Sequence, residues 1–452
     1  MSDAVERLAA RGMQRLETGD PVLHRLLSRE YERQAGSLSM VAASSVADLS
    51  VLACEGTALT NTTAEGYPGA RFHAGCEVAD EIEQLAVERA RQAFAARYAN
   101  VQPHSGTSAN QIVMFSLLDP GDTVLGLELD AGGHLSHGAR ASISGKQFDA
   151  VGYGLDAEGW IDYEQVRALA MSRRPKLLIC GASSYPRRID FRRFREIADE
   201  AGAYLLADIS HVAGLVAAGE HPSPIDEAHF TTTSTYKQLF GPRGGLILMG
   251  RDHDAPAPSG EGTLAGMLQK AVFPLFQGTP NLGAVAAKAR ALHLVSTPRF
   301  RELAARIVGD ARALAGHLLD RGYRVLSGGS DNHIVLVDVQ QRGMSGLVAE
   351  RALEECGILV NRNRIPGDRR PASVASGMRL GTNTLAFRGM GADEMASCAG
   401  LLDRCLSAVA ALGDRDYSLD AAARTLVRQE VRRLCERFPL YDDPHLLRTA
   451  VA

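Results

Sequence analysis

The chain has 452 residues, 45% apolar and 23% charged, enough for a sizeable core and more than one structural unit. A formal net charge of −4 gives no electrostatic reason to expect nucleic acid or an anionic membrane as partner, and no uninterrupted apolar stretch is long enough to span a bilayer. The seven cysteines are scattered and lack a CxxC pair or a His/Cys cluster, which points to apolar filler in a reducing cytoplasm and to no metal.

The opening segment, MSDAVERLAARGMQRLE, mixes charges into an amphipathic helix and lacks the apolar core of a signal peptide. Residues 1–60 read as a helical arm that includes the small-residue segment SMVAASSVADLS. From residue 77, EVADEIEQLAVERARQAFAA has apolar residues at helical spacing. Short β-rich runs then alternate with helices: TVLGLEL, KLLICGASS and AYLLADIS, with DFRRFREIADEAG between the last two. That alternation predicts an α/β fold, a mostly parallel sheet covered by helices, over residues 61–295. DHDAPAPSGEG, residues 252–262, reads as an exposed loop. Beyond it, RFRELAARIVGDARALAGHLLDRG is a long helix, followed by YRVLSGG, HIVLVDV and a helix ending in GILV. These predict a smaller α+β unit over 296–452, with SLDAAARTLVRQEVRRLCERF as a closing helix.

Ligands of open α/β sheets gather beyond the C-terminal strand ends, and four features fall there. HSGTSANQ places Ser105, Gly106, Thr107 and Ser108 at a helix start, either an anion site or an ordinary N-cap. AYLLADISHVAGL ends a strand with Asp208, followed by His211; the carboxylate needs a partner, whether a ligand or a structural salt bridge. In AGGHLSHG, His134 follows paired glycines, where an imidazole could lie flat on a planar ligand or serve the structure alone. HFTTTSTYKQLFGPRGG holds Lys237 between an emerging strand and a Gly/Pro turn, where a solvated surface lysine is the plain alternative. Amine, acid, anion cradle and stacking ring together match the needs of pyridoxal 5′-phosphate (PLP).

At these residues the chain resembles the serine hydroxymethyltransferase family of fold-type I PLP enzymes. The resemblance spans roughly 20–440 and rests on LTNTTAEGYPGARF, VQPHSGTSANQ, GGHLSHG, GASSYPRRIDF, ADISHVAGLVAAG, KQLFGPRGG, VFPLFQGTP and SGMRLGT. It implies a homodimer or dimer of dimers with active sites at the subunit interface. It also implies that Lys237 is the Schiff-base lysine, that Asp208 pairs with the pyridine nitrogen and that His134 stacks on the ring. Ser105, Gly106, Thr107, Ser234 and Tyr236 then lie near the phosphate, with Gly278 reaching it from the neighbouring subunit. Ser183 and His211 line the phenolate side. Arg379 clamps the substrate carboxylate, Glu65 mediates proton transfer, and Asn363 matches a folate contact.

Departures from the family cluster at the substrate. Ala43-Ser44-Ser45 replaces Ser-Glu-Asn, Thr63 and Phe72-His73 replace tyrosines, and Tyr236 replaces a histidine. Gly278-Thr279 stands for Gly-Gly, and Leu275 for a glycine. Thr63, Phe72, His73 and Arg379 are therefore expected to line the substrate. The favoured expectation is a specialised-metabolism enzyme, similar to family members of lincosamide antibiotic pathways. It would act on an S-conjugated cysteine by β-elimination or decarboxylative deamination. The alternatives are a serine hydroxymethyltransferase using tetrahydrofolate, or a transaldolase for β-hydroxy amino acids. A catalytically silent dimeric binding protein would be expected to have lost Lys237 or Asp208.

Overall fold

Runs such as LLIC, FTTTS and GLILM are buried at every position, which suits only strands in the middle of a sheet covered on both faces. The computed structural model, which describes residues 2–441, contains such a sheet. Met1 of the expected first helix and residues 442–452 of the expected C-terminal unit lie outside the described residues. The strands are β1 (Tyr98–Asn100), β2 (Thr123–Leu127), β3 (Asp149–Tyr153), β4 (Leu177–Cys180), β5 (Tyr204–Asp208), β6 (Phe230–Ser234) and β7 (Gly245–Met249). Their order is β1-β7-β6-β5-β4-β2-β3. Strands β2 to β6 pair in parallel, and β7 alone runs antiparallel to both its neighbours.

Alternation along each strand sends successive side chains to opposite faces. Leu178, Leu205, Leu246 and Leu248 join one core, whereas Leu177, Ile179, Leu206 and Ile247 join the other. Helix Phe191–Ala201 shows how the covering layer forms. The Asp190 side chain caps it by accepting from Arg193 N at 3.0 Å, and Gly202 ends it at φ +71°. Between these stops, Phe191, Phe194, Ile197, Ala198 and Ala201 form one buried stripe.

A second, antiparallel sheet has strands β8 (Arg324–Val325), β9 (Ile334–Asp338), β10 (Asn361–Asn363) and β11 (Gly377–Gly381) in the order β8-β9-β11-β10. Helix Pro298–Asp320 serves both halves: Ala304, Ile307 and Val308 pack into the first core, and Ala311, Leu314 and Leu318 into the second. The stretch 38–40, inside the expected arm of residues 1–60, also joins the second core. Leu38–Ser39 pairs in parallel with Ile358–Leu359, and Leu38 and Met40 are fully buried there. All seven cysteines are free thiols and six are buried. Among the described residues no helix is long and apolar enough to cross a membrane.

Candidate active site

Parallel strands point their C-terminal ends the same way, so the loops after β2, β4, β5 and β6 converge at one edge. Asp208 closes β5 and is almost wholly buried, a costly place for a carboxylate without donors. Its Oδ2 accepts from Asn110 Nδ2 at 2.7 Å and from His137 Nε2 at 3.1 Å, and its Oδ1 from Ser210 N at 2.9 Å. Burial alone would raise its pKa. The His137 hydrogen bond and charge, with His134 and Ser210 adding to them, hold it well below the usual carboxylate range.

Asn110 also donates to Ser136 Oγ at 2.9 Å, and that hydroxyl lies 2.7 Å from His134 Nδ1. Ser136 N–H points at the same Nδ1 at 3.2 Å, so Nδ1 is an acceptor and neutral His134 carries its proton on Nε2. Burial lowers the His134 pKa to about 4, which keeps the ring neutral near pH 7. His134, His137 and Asp208 bring donor atoms within 4.8 Å of one another, the spacing of a metal site. Here Asp208 Oδ2 already takes two N–H donors.

Lys237 follows β6 on a tight turn and is 6% exposed, which removes the solvated-lysine alternative. Among the described residues its amine has no hydrogen-bond partner and lies 5.8 Å from the centre of the Tyr236 ring. Burial lowers its pKa to about 8; Asp208 pulls it up, and Arg379 and Arg243 push it down. Tyr236 is fixed on two sides. Its ring carries the Arg243 guanidinium at 3.8 Å, and its carbonyl accepts from Ser45 Oγ at 2.6 Å. Two departures from the family pattern, Ser45 and Tyr236, thus touch each other.

Ser105 is the N-cap of helix Gly106–Leu117, accepting from Ser108 N at 3.0 Å. Both alternatives for this turn meet here: a cap is present, at the mouth of the site. A Cβ on Gly106 would lie 3.1 Å from Ser234 Cβ and N, so the turn packs closely on β6 and a larger residue would press on it. Arg379, on β11, gives Nε–H to Asn361 Oδ1 at 3.0 Å and an N–H to the Ser183 carbonyl. Burial lowers its pKa to about 10. His211 stacks on His333, centroids 5.9 Å apart and planes at 13°, while His333 Nε2 lies 3.2 Å from the Ala42 carbonyl.

These residues fit PLP. His211 Nδ1 and Ser234 Oγ are buried without a partner, and with the Lys237 amine they form an unsatisfied polar set facing the Asp208 network. Three residues that complete this set, Asn110, His137 and His333, escaped sequence reasoning. Asn110 is one helical turn beyond Gly106 and His137 one short turn beyond His134, a spacing signal that could have flagged both.

The remaining expected residues form a second group. Thr63, Phe72, His73 and Gly278 are exposed, Phe72 at 74%, and Glu65 is half-buried. Phe72 packs on Phe273 with centroids 5.5 Å apart, and a Cβ on Gly278 would stand 3.1 Å from Glu65 Oε1. Arg71 holds this hairpin in shape by donating to the Ala64 and Gly66 carbonyls at 2.9 and 2.7 Å and pairing with Asp80 and Glu83. Neither Glu65 nor His73, the titratable members of this group, is among the charges that shift Lys237.

Comparison with known proteins adds an end-to-end likeness. The sequence pattern of the family described as serine hydroxymethyltransferase matches residues 16–402. The chain is 47% identical to the serine hydroxymethyltransferase of Synechococcus sp. strain JA-3-3Ab over 440 residues, covering 94% of this chain and 96% of that protein. It is 46% identical to the protein of that name in Cyanothece sp. strain PCC 7425, covering 96% and 97%, and 45% to that in Zymomonas mobilis, covering 95% and 97%.

Proposed function

The chain belongs to the serine hydroxymethyltransferase family of PLP-dependent enzymes, and from that premise we propose that it moves the hydroxymethyl carbon of serine to tetrahydrofolate, leaving glycine. The observation that carries this reading is near-full-length similarity to proteins of that name, with Lys237, Asp208 and Arg379 intact. It displaces the expectation of an S-conjugated cysteine lyase from antibiotic metabolism, to which none of these relatives lends support.

The geometry is compatible with the following roles. When bound, PLP supplies a protonated ring that accepts the electron pair left at the substrate Cα. Asp208, kept ionised by His137 and Asn110, holds the proton on the ring nitrogen. Lys237 provides the amine that holds the cofactor. With a pKa of about 8, roughly a tenth of it is neutral at pH 7, far more than for an ordinary lysine. Neutral His134 offers a flat face to the ring without adding charge. Ser105, Thr107 and Ser234 donate to the phosphate at the helix N-terminus. Arg379 is oriented by Asn361 and the Ser183 carbonyl, so its remaining N–H donors can fork onto the substrate carboxylate. Asn363, which donates to Ser184 Oγ at 2.8 Å, would contact the folate, as the family resemblance implies.

This surface group is consistent with a role for a second copy. Half-buried Glu65 lies against exposed Gly278, and the N-terminal helices leave Leu8, Met13, Leu26 and Leu27 exposed. A homodimer would place Glu65, Gly278, Phe72 and His73 over the partner's Lys237, with Glu65 handling the proton of the substrate hydroxyl. Lys237→Ala and Glu65→Ala variants, each inactive alone, should regain about a quarter of wild-type activity when unfolded and refolded together, because half of randomly formed dimers hold one intact site. No regain would mean that each chain builds its own site.

The substrate assignment has a direct assay. Purified enzyme given serine and tetrahydrofolate should release glycine as its main product. S-conjugated cysteines, and β-hydroxy amino acids supplied without folate, should react far more slowly. Thiol and pyruvate, or aldehyde without folate, appearing as the faster products would return the reading to the departures at Ala43, Thr63, Phe72, His73 and Tyr236.

A further inference from the structure

Lys288 lies in the middle of helix Leu282–Val295 and is only 2% exposed, although nothing in GAVAAKARALHLV distinguishes it from a surface lysine. Its ammonium donates to three main-chain carbonyls, Val101 O at 2.6 Å, Pro103 O at 3.0 Å and Gly245 O at 3.0 Å. An ammonium has three N–H donors, so all of them are used. Burial lowers its pKa to about 7, opposed by the Glu83 carboxylate, while the three acceptors match the protonated form.

The identity of those carbonyls is the informative point. Val101 and Pro103 form the lead-in to Ser105, and Gly245 opens β7 directly opposite it. Gly245 N–H donates to Pro103 O at 2.9 Å, and a Cβ on Gly245 would fall 2.3 Å from Ser105 O. Gly245 also pairs with Ser234 across the strands. A Cβ on Gly244 would fall 2.3 Å from Lys288 Cε, so the paired glycines are required where the lysine passes beneath the turn. One buried amine therefore ties the segment leading into Ser105 to Gly245 and, through Gly245, to the strand end that carries Ser234.

We propose that Lys288 is a positioning residue for the cofactor phosphate: it sets the spacing between the Ser105–Thr107 turn and Ser234. The proposal rests on the assignment of that turn to the phosphate. Lys288 does not touch the ligand. Without it, three buried carbonyls lose their donor and the segments they belong to are free to separate.

The test compares PLP with pyridoxal, which lacks the phosphate, by titrating each into full-length apoenzyme and following the visible absorbance of the bound form. Wild type should prefer PLP strongly. Lys288→Met should shrink that preference by about tenfold or more, and Lys288→Gln, which keeps two donors, by roughly two- to fivefold. Arg388→Met is the structural control. Arg388 is an equally buried cation, but it donates to the Ala35 and Ser37 carbonyls of the N-terminal segment. That variant should lose thermal stability with the preference intact. If Lys288→Met does not fold, Lys288→Gln decides. A Lys288 variant that is less stable but keeps the wild-type preference within about twofold overturns the proposal. A wild-type enzyme with no preference for PLP over pyridoxal would sink the phosphate assignment itself, and the proposal with it.

Discussion

Lys237→Ala should abolish the visible absorbance of the holoenzyme and reduce glycine formation from serine by roughly three orders of magnitude or more, because the amine that holds the cofactor is gone. The fold should survive. The Lys237 amine makes no hydrogen bond among the described residues, so truncation strands no partner. Desolvation of a buried ammonium opposes folding, and that cost disappears with the amine. The melting temperature of the apoenzyme should therefore move by only a few degrees while activity collapses. Lys237→Arg should behave alike, since a guanidinium keeps the charge and cannot act as the nucleophile. If Lys237→Ala retained the band and more than about a hundredth of wild-type turnover, another group would have to be the nucleophile.

Asp208→Asn should be the second most damaging change, and it should harm both function and stability. Both carboxylate oxygens accept: Oδ2 from Asn110 and His137, Oδ1 from Ser210 N–H. An amide in that position must aim its NH₂ at existing donors. Breaking a buried charged arrangement of this kind costs about 3–5 kcal/mol, equivalent to roughly 10²–10⁴ in turnover if the loss is felt in the transition state.

The same residue gives a pH signature in the apoenzyme. Its folded pKa lies well below the ordinary 3.8, so the unfolded chain binds its proton first as pH falls. The stabilisation from Asp208 is therefore complete above about pH 4–5 and drains away through the acid range below it. Asp208→Asn should start from lower stability at neutral pH and lose less on acidification. Parallel acid-unfolding curves for the two proteins, offset but with equal slopes, would show that Asp208 is not the ionised anchor of the site.

Much of the site could be read from local sequence because its residues sit at positions that local rules mark. Asp208 ends an apolar run, Ser105 caps a helix, and Lys237 follows a β-branched run into a Gly/Pro turn. The strands and helices of the large sheet were legible for the same reason, since a period of two or of 3.6 is written along a single stretch of chain. What escaped was every fact that depends on which stretches meet. His137 and Asn110 became partners of Asp208 only when β5, the helix Gly106–Leu117 and the loop after β2 converged. The His211–His333 stack joins a loop of the first sheet to the start of β9, and no periodicity couples them.

The substrate side was the least legible. Substitutions at Ala43, Thr63, Phe72, His73 and Tyr236 suggested a switched reaction, whereas relatives 45–47% identical across nearly the whole chain favour the ordinary one. Thr63, Phe72 and His73 are exposed in the single chain, and Ser45 makes its own bond to the Tyr236 carbonyl.

By itself the sequence determined the α/β class, the order of elements and the positions of Asp208 at a strand end, Lys237 just after one and Ser105 at a helix start, because propensity, capping and hydrophobic alternation act between near neighbours. Only the tertiary structure decided that β7 runs against its neighbours and that Leu38–Ser39 joins the distant Ile358–Leu359. It also decided that Lys288 is a buried clamp, and that Gly278 comes up against Glu65. Burial and partner choice are set by packing across hundreds of residues, and the same lysine is a solvated charge on one helix face or a desolvated donor on another.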